Sequence, residues 1–167
     1  MYKPTSGNAW IAGYDIRDNL ELVQLQIGVC PQFDILWDDL SVEEHLFFYA
    51  RLKGVPPEQE NAMVKKAISE VQLEKEKEML TRKLPLGMKR RLSIAISLVA
   101  NPKIVFLDEP TTGLDPETRR QLWNILQDCK NDKKRAIVLT THSMEEADVL
   151  CNRIGIVSDG ILKCIGS

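Results

Sequence analysis

Apolar and polar positions change their period several times along the chain, and the changes mark out strands and helices. Ile104-Val105-Phe106-Leu107 and Ile137-Val138-Leu139 are continuous apolar runs without alternation, the pattern of strands covered on both faces of a parallel sheet. Shorter runs predict strands over 9–12 and 27–30, and the apolar stretches on either side of Asp159-Gly160 predict a closing hairpin. Between these, the period lengthens to that of a helix. Residues 41–53 open on a Ser-x-x-Glu capping box, Ser41 with Glu44, and put Val42, Leu46, Tyr49 and Ala50 on one face. Gly54-Val55-Pro56-Pro57 breaks that helix, and a second over 58–72 carries Met63, Ala67, Ile68 and Val71. A third, after Leu84, turns Leu92, Ala95, Ile96 and Val99 inward and stops at Asn101-Pro102. Asp115-Pro116 reads as N-cap and first residue of a helix over 117–129, with Leu122, Ile125 and Leu126 buried. Residues 19–26 form a short helix, Asn131-Asp132-Lys133-Lys134 a polar loop, and Ser143 with Glu146 a second capping box for a helix reaching Cys151.

Strands alternating with helices give an α/β fold around a parallel sheet. The 167 residues suffice for one domain with a sizeable core, and 44% hydrophobic against 28% charged residues is ordinary globular composition. A net charge of −2 without a long basic block gives no electrostatic reason for nucleic-acid binding. No apolar stretch is long enough to span a bilayer, so membrane association has to come through a partner. Cys30, Cys129, Cys151 and Cys164 form no C-x-x-C pair and read as reduced thiols used in packing. His45 has no carboxylate or cysteine constellation beside it and reads as a packing residue.

Candidate chemistry gathers at strand ends. The apolar run 104–107 leads directly into Asp108 and Glu109, and Pro110 prevents a helix from continuing there. Ligands collect beyond the carboxyl ends of such strands. The pair is either two solvated loop residues or a phosphate-site pair, in which Asp108 holds Mg²⁺ on a nucleotide and Glu109 polarises the attacking water. A second strand ends the same way at Thr141-His142. Lys89, Arg90 and Arg91 crowd the first turn of the helix after Leu84, where each cation is unfavourable by about 0.3–1 kcal/mol unless an anion lies nearby. Either surface carboxylates or a bound anion would serve.

The string Leu107-Asp108-Glu109-Pro110-Thr111-Thr112-Gly113-Leu114-Asp115-Pro116 closely resembles the Walker B and D-loop region of ATP-binding-cassette (ABC) ATPases. The resemblance covers essentially the whole chain, and 30–34, 87–93 and 140–148 look most like the A subfamily of lipid exporters. It implies a P-loop NTPase-like ABC ATPase core at 1–35 and 102–167, with a helical signature subdomain at 36–101. It further implies that Glu109 and His142 are catalytic, the histidine contacting the γ-phosphate, and that Gln32 and Asp108 hold Mg²⁺. Gln32, Leu84, Gly87, Met88, Asp108 and Asp115 would then contact ATP. The implied partners are a second cassette, in a head-to-tail ATP sandwich, and transmembrane domains, at the cytoplasmic face of a membrane.

Two departures from the family pattern matter. No Gly-x-x-x-x-Gly-Lys-[Ser/Thr] is present, and the Pro4-Thr5-Ser6-Gly7 turn matches the family just after its phosphate loop, so the first strands and that loop are expected upstream. Without the loop's amides and lysine, the 167 residues alone are expected not to hydrolyse ATP. In the signature, Pro85 replaces the phosphate-bonding serine and Leu86 the first glycine. A non-catalytic regulatory cassette therefore stays open as an alternative, as does an ATPase of the chromosome and repair class, although the insert here is compact where those place a coiled coil.

Overall fold

In the computed structural model, residues 4–131 and 135–167 are described. The polar loop expected after the 117–129 helix lies, from 132 to 134, outside them. Three parallel strands carry the fold: β3 (Ile27–Cys30), β4 (Ile104–Asp108) and β5 (Ala136–Thr140), in the order β3-β4-β5. Two antiparallel pairs flank them in sequence, β1 (Trp10–Ile11) with β2 (Tyr14–Asp15), and β6 (Ile154–Ser158) with β7 (Ile161–Gly166). The segment expected as one strand at 9–12 is thus only two residues long and turns back on itself, with Ala12 and Gly13 both at positive φ.

Helix α1 (Leu20–Gln26) leads into β3. The connection from β3 to β4 contains α2 (Val42–Leu52), α3 (Pro57–Glu70), a single 3-10 turn at Thr81–Lys83 and α4 (Leu86–Leu98). Both halves of the Ser41–Glu44 capping box form, at 3.2 and 2.7 Å. The apolar stripes of α2, α3 and α4 meet around Leu46, Val64, Leu73, Leu92 and Ile94, which continue into one core with Leu107, Leu122 and Ile125. Helix α4 also packs on the sheet, so closely that a Cβ at Gly28 would stand 1.9 Å from the Ser97 carbonyl oxygen. Only glycine permits that approach. The helix ends at Leu98, and Asn101, at φ 50°, redirects the chain three residues later towards β4.

The sheet departs from one expectation. Its strands were read as covered on both faces, yet Val29 and Val138 are about half exposed, at 52% and 48%, on either side of Phe106 in the same register row. Val105 and Leu107 face the helices and are buried; on the opposite face Ile27 is buried while Val29 and Val138 are not. His45 is fully buried as a packing residue, its Nε2 accepting from the Trp37 amide at 2.9 Å and its ring 5.6 Å from the Trp37 ring. None of the four cysteines forms a disulfide, and burial pushes the Cys30 thiol up to about 11.

Candidate functional site

Register aligns the strand ends. Cys30, Leu107 and Leu139 stand in one row, so Gln32, Glu109 and Thr141 each follow two residues later, and Asp108 lies beside Thr140. Two of the expected residues, Gln32 and His142, then converge with Thr112 on a single atom of a third, Glu109. The Gln32 amide nitrogen donates to Glu109 Oε2 at 3.0 Å, the Thr112 hydroxyl donates to the same oxygen at 2.9 Å, and His142 Nδ1 lies 3.4 Å from it. Thr140 holds the neighbouring carboxylate: its hydroxyl donates to Asp108 Oδ1 at 2.5 Å while accepting from the Glu109 amide at 3.0 Å.

Glu109 reaches this position through a backbone that a side chain rarely adopts. Its φ is 43°, a conformation that costs about 1–3 kcal/mol and survives only where its surroundings fix it. Here the fixing is visible. The Glu109 amide is bonded to Thr140, and the carbonyls of Asp108, Glu109 and Pro110 all accept from the Arg90 guanidinium, at 3.0, 3.4 and 2.8 Å.

The remaining expected residues form a separate group. Pro85 is the N-cap of α4, and the next turn brings Gly87 against α5 (Pro116–Asn131). A Cβ on Gly87 would stand 2.4 Å from Thr118 Cγ2, so packing alone demands glycine there. Leu84 is buried, Met88 is half-buried in the core and Leu86 is 59% exposed. Asp115 caps α5, Oδ1 accepting from the amides of Glu117 and Thr118 at 3.1 and 3.0 Å. Hydrogen bonds from the Thr118 side chain and amide hold its carboxyl below the ordinary value. Among the described residues no hydrogen bond or ion pair joins Leu84, Gly87, Met88 or Asp115 to the Gln32–Glu109–His142 group.

The three cations at the start of α4 have partners within the chain: Arg90 is buried against the carbonyls just named and Asp34, Lys89 lies 4.0 Å from Asp38, and Arg91 donates to Gln121 Oε1 at 2.6 Å. One reading of the sequence needs correction. The second capping box is only half made. Ser143 Oγ accepts from the Glu146 amide at 3.3 Å, but the Glu146 carboxylate turns inward to accept from the Thr111 hydroxyl at 2.8 Å and the Trp123 indole at 3.0 Å. Two buried donors hold the carboxylate, and the Ser143 amide it would have bonded donates instead to Thr141 Oγ1 at 3.0 Å. Thr112, Thr140, Arg90 and Glu146 were missed as parts of the site. Arg90 alone left a signal, because Arg90, Ser93, Ile94 and Ser97 follow the helical period of the buried face.

The family described as ABC transporter matches residues 1–112. The chain belongs to the ABC transporter family. Among similar curated members, ABC transporter A family member 2 of Arabidopsis thaliana is 54% identical over all of this chain and 17% of its own length. A family member 9 of Dictyostelium discoideum is 53% identical, again over the whole chain and 20% of its own length. The chain therefore spans a fifth or less of the length of these relatives. Among solved structures, cbiO1 of Clostridium perfringens, part of the ABC transporter complex cbiONQ, superposes with a TM-score of 0.89 at 27% identity over 99% of this chain and 68% of that one. An ATP binding subunit of an ABC transporter gives 0.82 over the same shares. This ABC transporter chain thus has the α/β fold of those subunits, and among its described residues no helix is long and apolar enough to cross a membrane.

Proposed function

We propose that this chain is part of the nucleotide-hydrolysing cassette of an A-type ABC transporter, which uses ATP hydrolysis to move lipid across a membrane. The observation that carries the proposal is the convergence of Gln32, Thr112 and His142 on Glu109 Oε2 beyond the carboxyl ends of three parallel strands. On this reading Glu109 takes the proton of the attacking water through its other oxygen, to which no described residue donates, and His142 and Gln32 orient water and γ-phosphate. Asp108 and the Gln32 amide oxygen would hold Mg²⁺, which neutralises phosphate charge when bound. The donor set fits that ion: one carboxylate and one amide oxygen leave its other positions to substrate phosphates and water, the ligands Mg²⁺ prefers. Residues 36–101 then form the helical subdomain and 1–35 with 102–167 belong to the α/β core. Leu84, Gly87, Met88 and Asp115 face the nucleotide of a second cassette. Transmembrane domains complete the assembly at the cytoplasmic face.

The test is ATP turnover by the full-length protein that carries this sequence. Glu109→Gln is expected to lower kcat by at least about a hundredfold, the scale of a general base, while ATP still binds. Unchanged turnover refutes the assignment. The lipid is tested in the same preparation by transfer of labelled phospholipid between leaflets of proteoliposomes, which should require ATP and intact Glu109. The 167 residues alone, which hold no Gly-Lys pair, are expected to show no turnover. A regulatory cassette is favoured by one observation, the exposed Leu86 side chain at the N-terminus of α4, and predicts nucleotide binding without Glu109-dependent turnover.

A further inference from the structure

Arg90 lies on the buried face of α4, 4% exposed, and its guanidinium serves two segments that are distant in sequence. Towards the segment after β3 it donates through one terminal nitrogen to the carbonyls of Pro31 and Gln32, at 2.6 and 3.2 Å, and to Asp34 Oδ1 at 3.1 Å. Towards the segment after β4 it donates through Nε and the other terminal nitrogen to the carbonyls of Pro110, Asp108 and Glu109. Asp34 is itself held by the Ser93 hydroxyl, one turn along α4, at 2.7 Å.

These are the two segments whose side chains meet at the Gln32–Glu109 hydrogen bond, and among the described residues no other side chain bonds to the backbone of both. We propose that Arg90 is a positioning residue that sets the Gln32 amide against the Glu109 carboxylate, and so sets the geometry of water activation. The proposal rests on the hydrolytic function above. The chemistry favours arginine specifically. Five N–H groups in a rigid plane can satisfy acceptors on two sides at once, whereas a lysine ammonium is a compact point charge with three donors and can serve one side well. Glu109 needs such support because its positive φ is otherwise unfavourable.

Two measurements on the full-length protein carrying this sequence test the idea in an Arg90→Lys variant, which keeps the charge. In the first, which involves no nucleotide, hydrogen exchange is followed in peptides covering 30–36 and 109–114. Both are expected to exchange at least about tenfold faster, together, while Lys89→Ala on the same helix leaves both unchanged. The second is steady-state hydrolysis, where kcat should fall at least about tenfold with the KM for ATP within about threefold of wild type. Combined with Gln32→Ala, Arg90→Lys should then cost clearly less kcat than it costs in the wild-type background, because the amide it positions has gone and only its hold on the Glu109 backbone remains. A purely structural Arg90 would instead multiply with Gln32→Ala. If Arg90→Lys does not fold, Asp34→Asn, which weakens the tie on one side, is expected to act in the same direction and to be equally non-additive. Exchange unchanged at both segments, or multiplicative effects on kcat, overturns the proposal. Were the wild-type protein to turn over no ATP, the hydrolytic reading would fall, and the exchange measurement alone would decide whether Arg90 ties the segments.

Discussion

Glu146 offers the sharpest test of how the loop beyond Glu109 is held. Its carboxylate is 1% exposed, and one oxygen accepts both the Thr111 hydroxyl and the Trp123 indole N–H. Thr111 and Trp123 are themselves 6% and 7% exposed, so neither donor can turn to water once the acceptor is gone. Glu146→Leu leaves two buried donors unsatisfied, at about 1–3 kcal/mol each, and relieves the cost of burying a carboxylate. The net expectation is a loss of about 2–4 kcal/mol. Glu146→Gln keeps an oxygen in place and loses only the charge assistance, so it should lie within about 1 kcal/mol of wild type. Urea unfolding followed by tryptophan emission and by circular dichroism gives both values, if the two probes coincide. Removing the orphaned donors should restore most of the loss, so the triple change Glu146→Leu, Thr111→Val, Trp123→Phe should be more stable than Glu146→Leu alone. The reasoning is refuted if Glu146→Leu matches or exceeds wild type, for then burying the charge costs more than its two hydrogen bonds return.

Two further outcomes follow from single contacts. Burial holds the His45 imidazole below its ordinary value, against the Ser41 carbonyl and Glu44, which raise it; the unfolded chain therefore binds the extra proton first, and stability should fall as pH drops below about 6.5, until the lowered folded-state pKa is passed. Comparing urea midpoints at pH 7.5 and 5.5 for wild type and His45→Gln isolates that share, and equal pH slopes would refute it. Gly87→Ala should cost about 1–3 kcal/mol through its 2.4 Å clash with Thr118 Cγ2 and be largely rescued by Thr118→Ser, measured as thermal midpoints.

Much of this was readable from the chain. The continuous apolar runs marked β4 and β5 nearly to the residue through their β-branched and aromatic content, although the expected cover on both faces is absent at Val138, and the acid pair was legible because it interrupts such a run. The Ser41–Glu44 box was legible because both partners lie within one turn. Glu146 shows the limit of that argument: Ser143 and Glu146 have the same spacing, but Thr111 and Trp123 compete for the carboxylate from 35 and 23 residues away. Local spacing carries no information about such competitors. The helical period could have announced the burial of Arg90 but not its partners, which include the backbone carbonyls of Pro31, Gln32, Asp108, Glu109 and Pro110 that no side-chain pattern announces.

The placement of these missed residues explains why the convergence on Glu109 can exist. A carboxylate on a backbone at φ 43° would relax to an ordinary conformation if its two neighbouring segments were free to shift. Each is anchored from below by a different group. Arg90 holds 31–34 against 108–110, Thr140 holds Asp108 and the Glu109 amide to β5, and Glu146 fastens Thr111 to α5 and α6 (Met144–Leu150), the helix that begins two residues after His142. Of these three groups, Arg90 and Glu146 are buried and sit away from the Glu109 carboxylate, so neither competes with Gln32 or His142 for it. The exposed side chains can therefore be changed by a ligand or a partner while the backbone beneath them keeps its register. Loss of an anchoring group should accordingly move several site residues at once, whereas loss of Gln32 or His142 should remove one contact and leave the others in place.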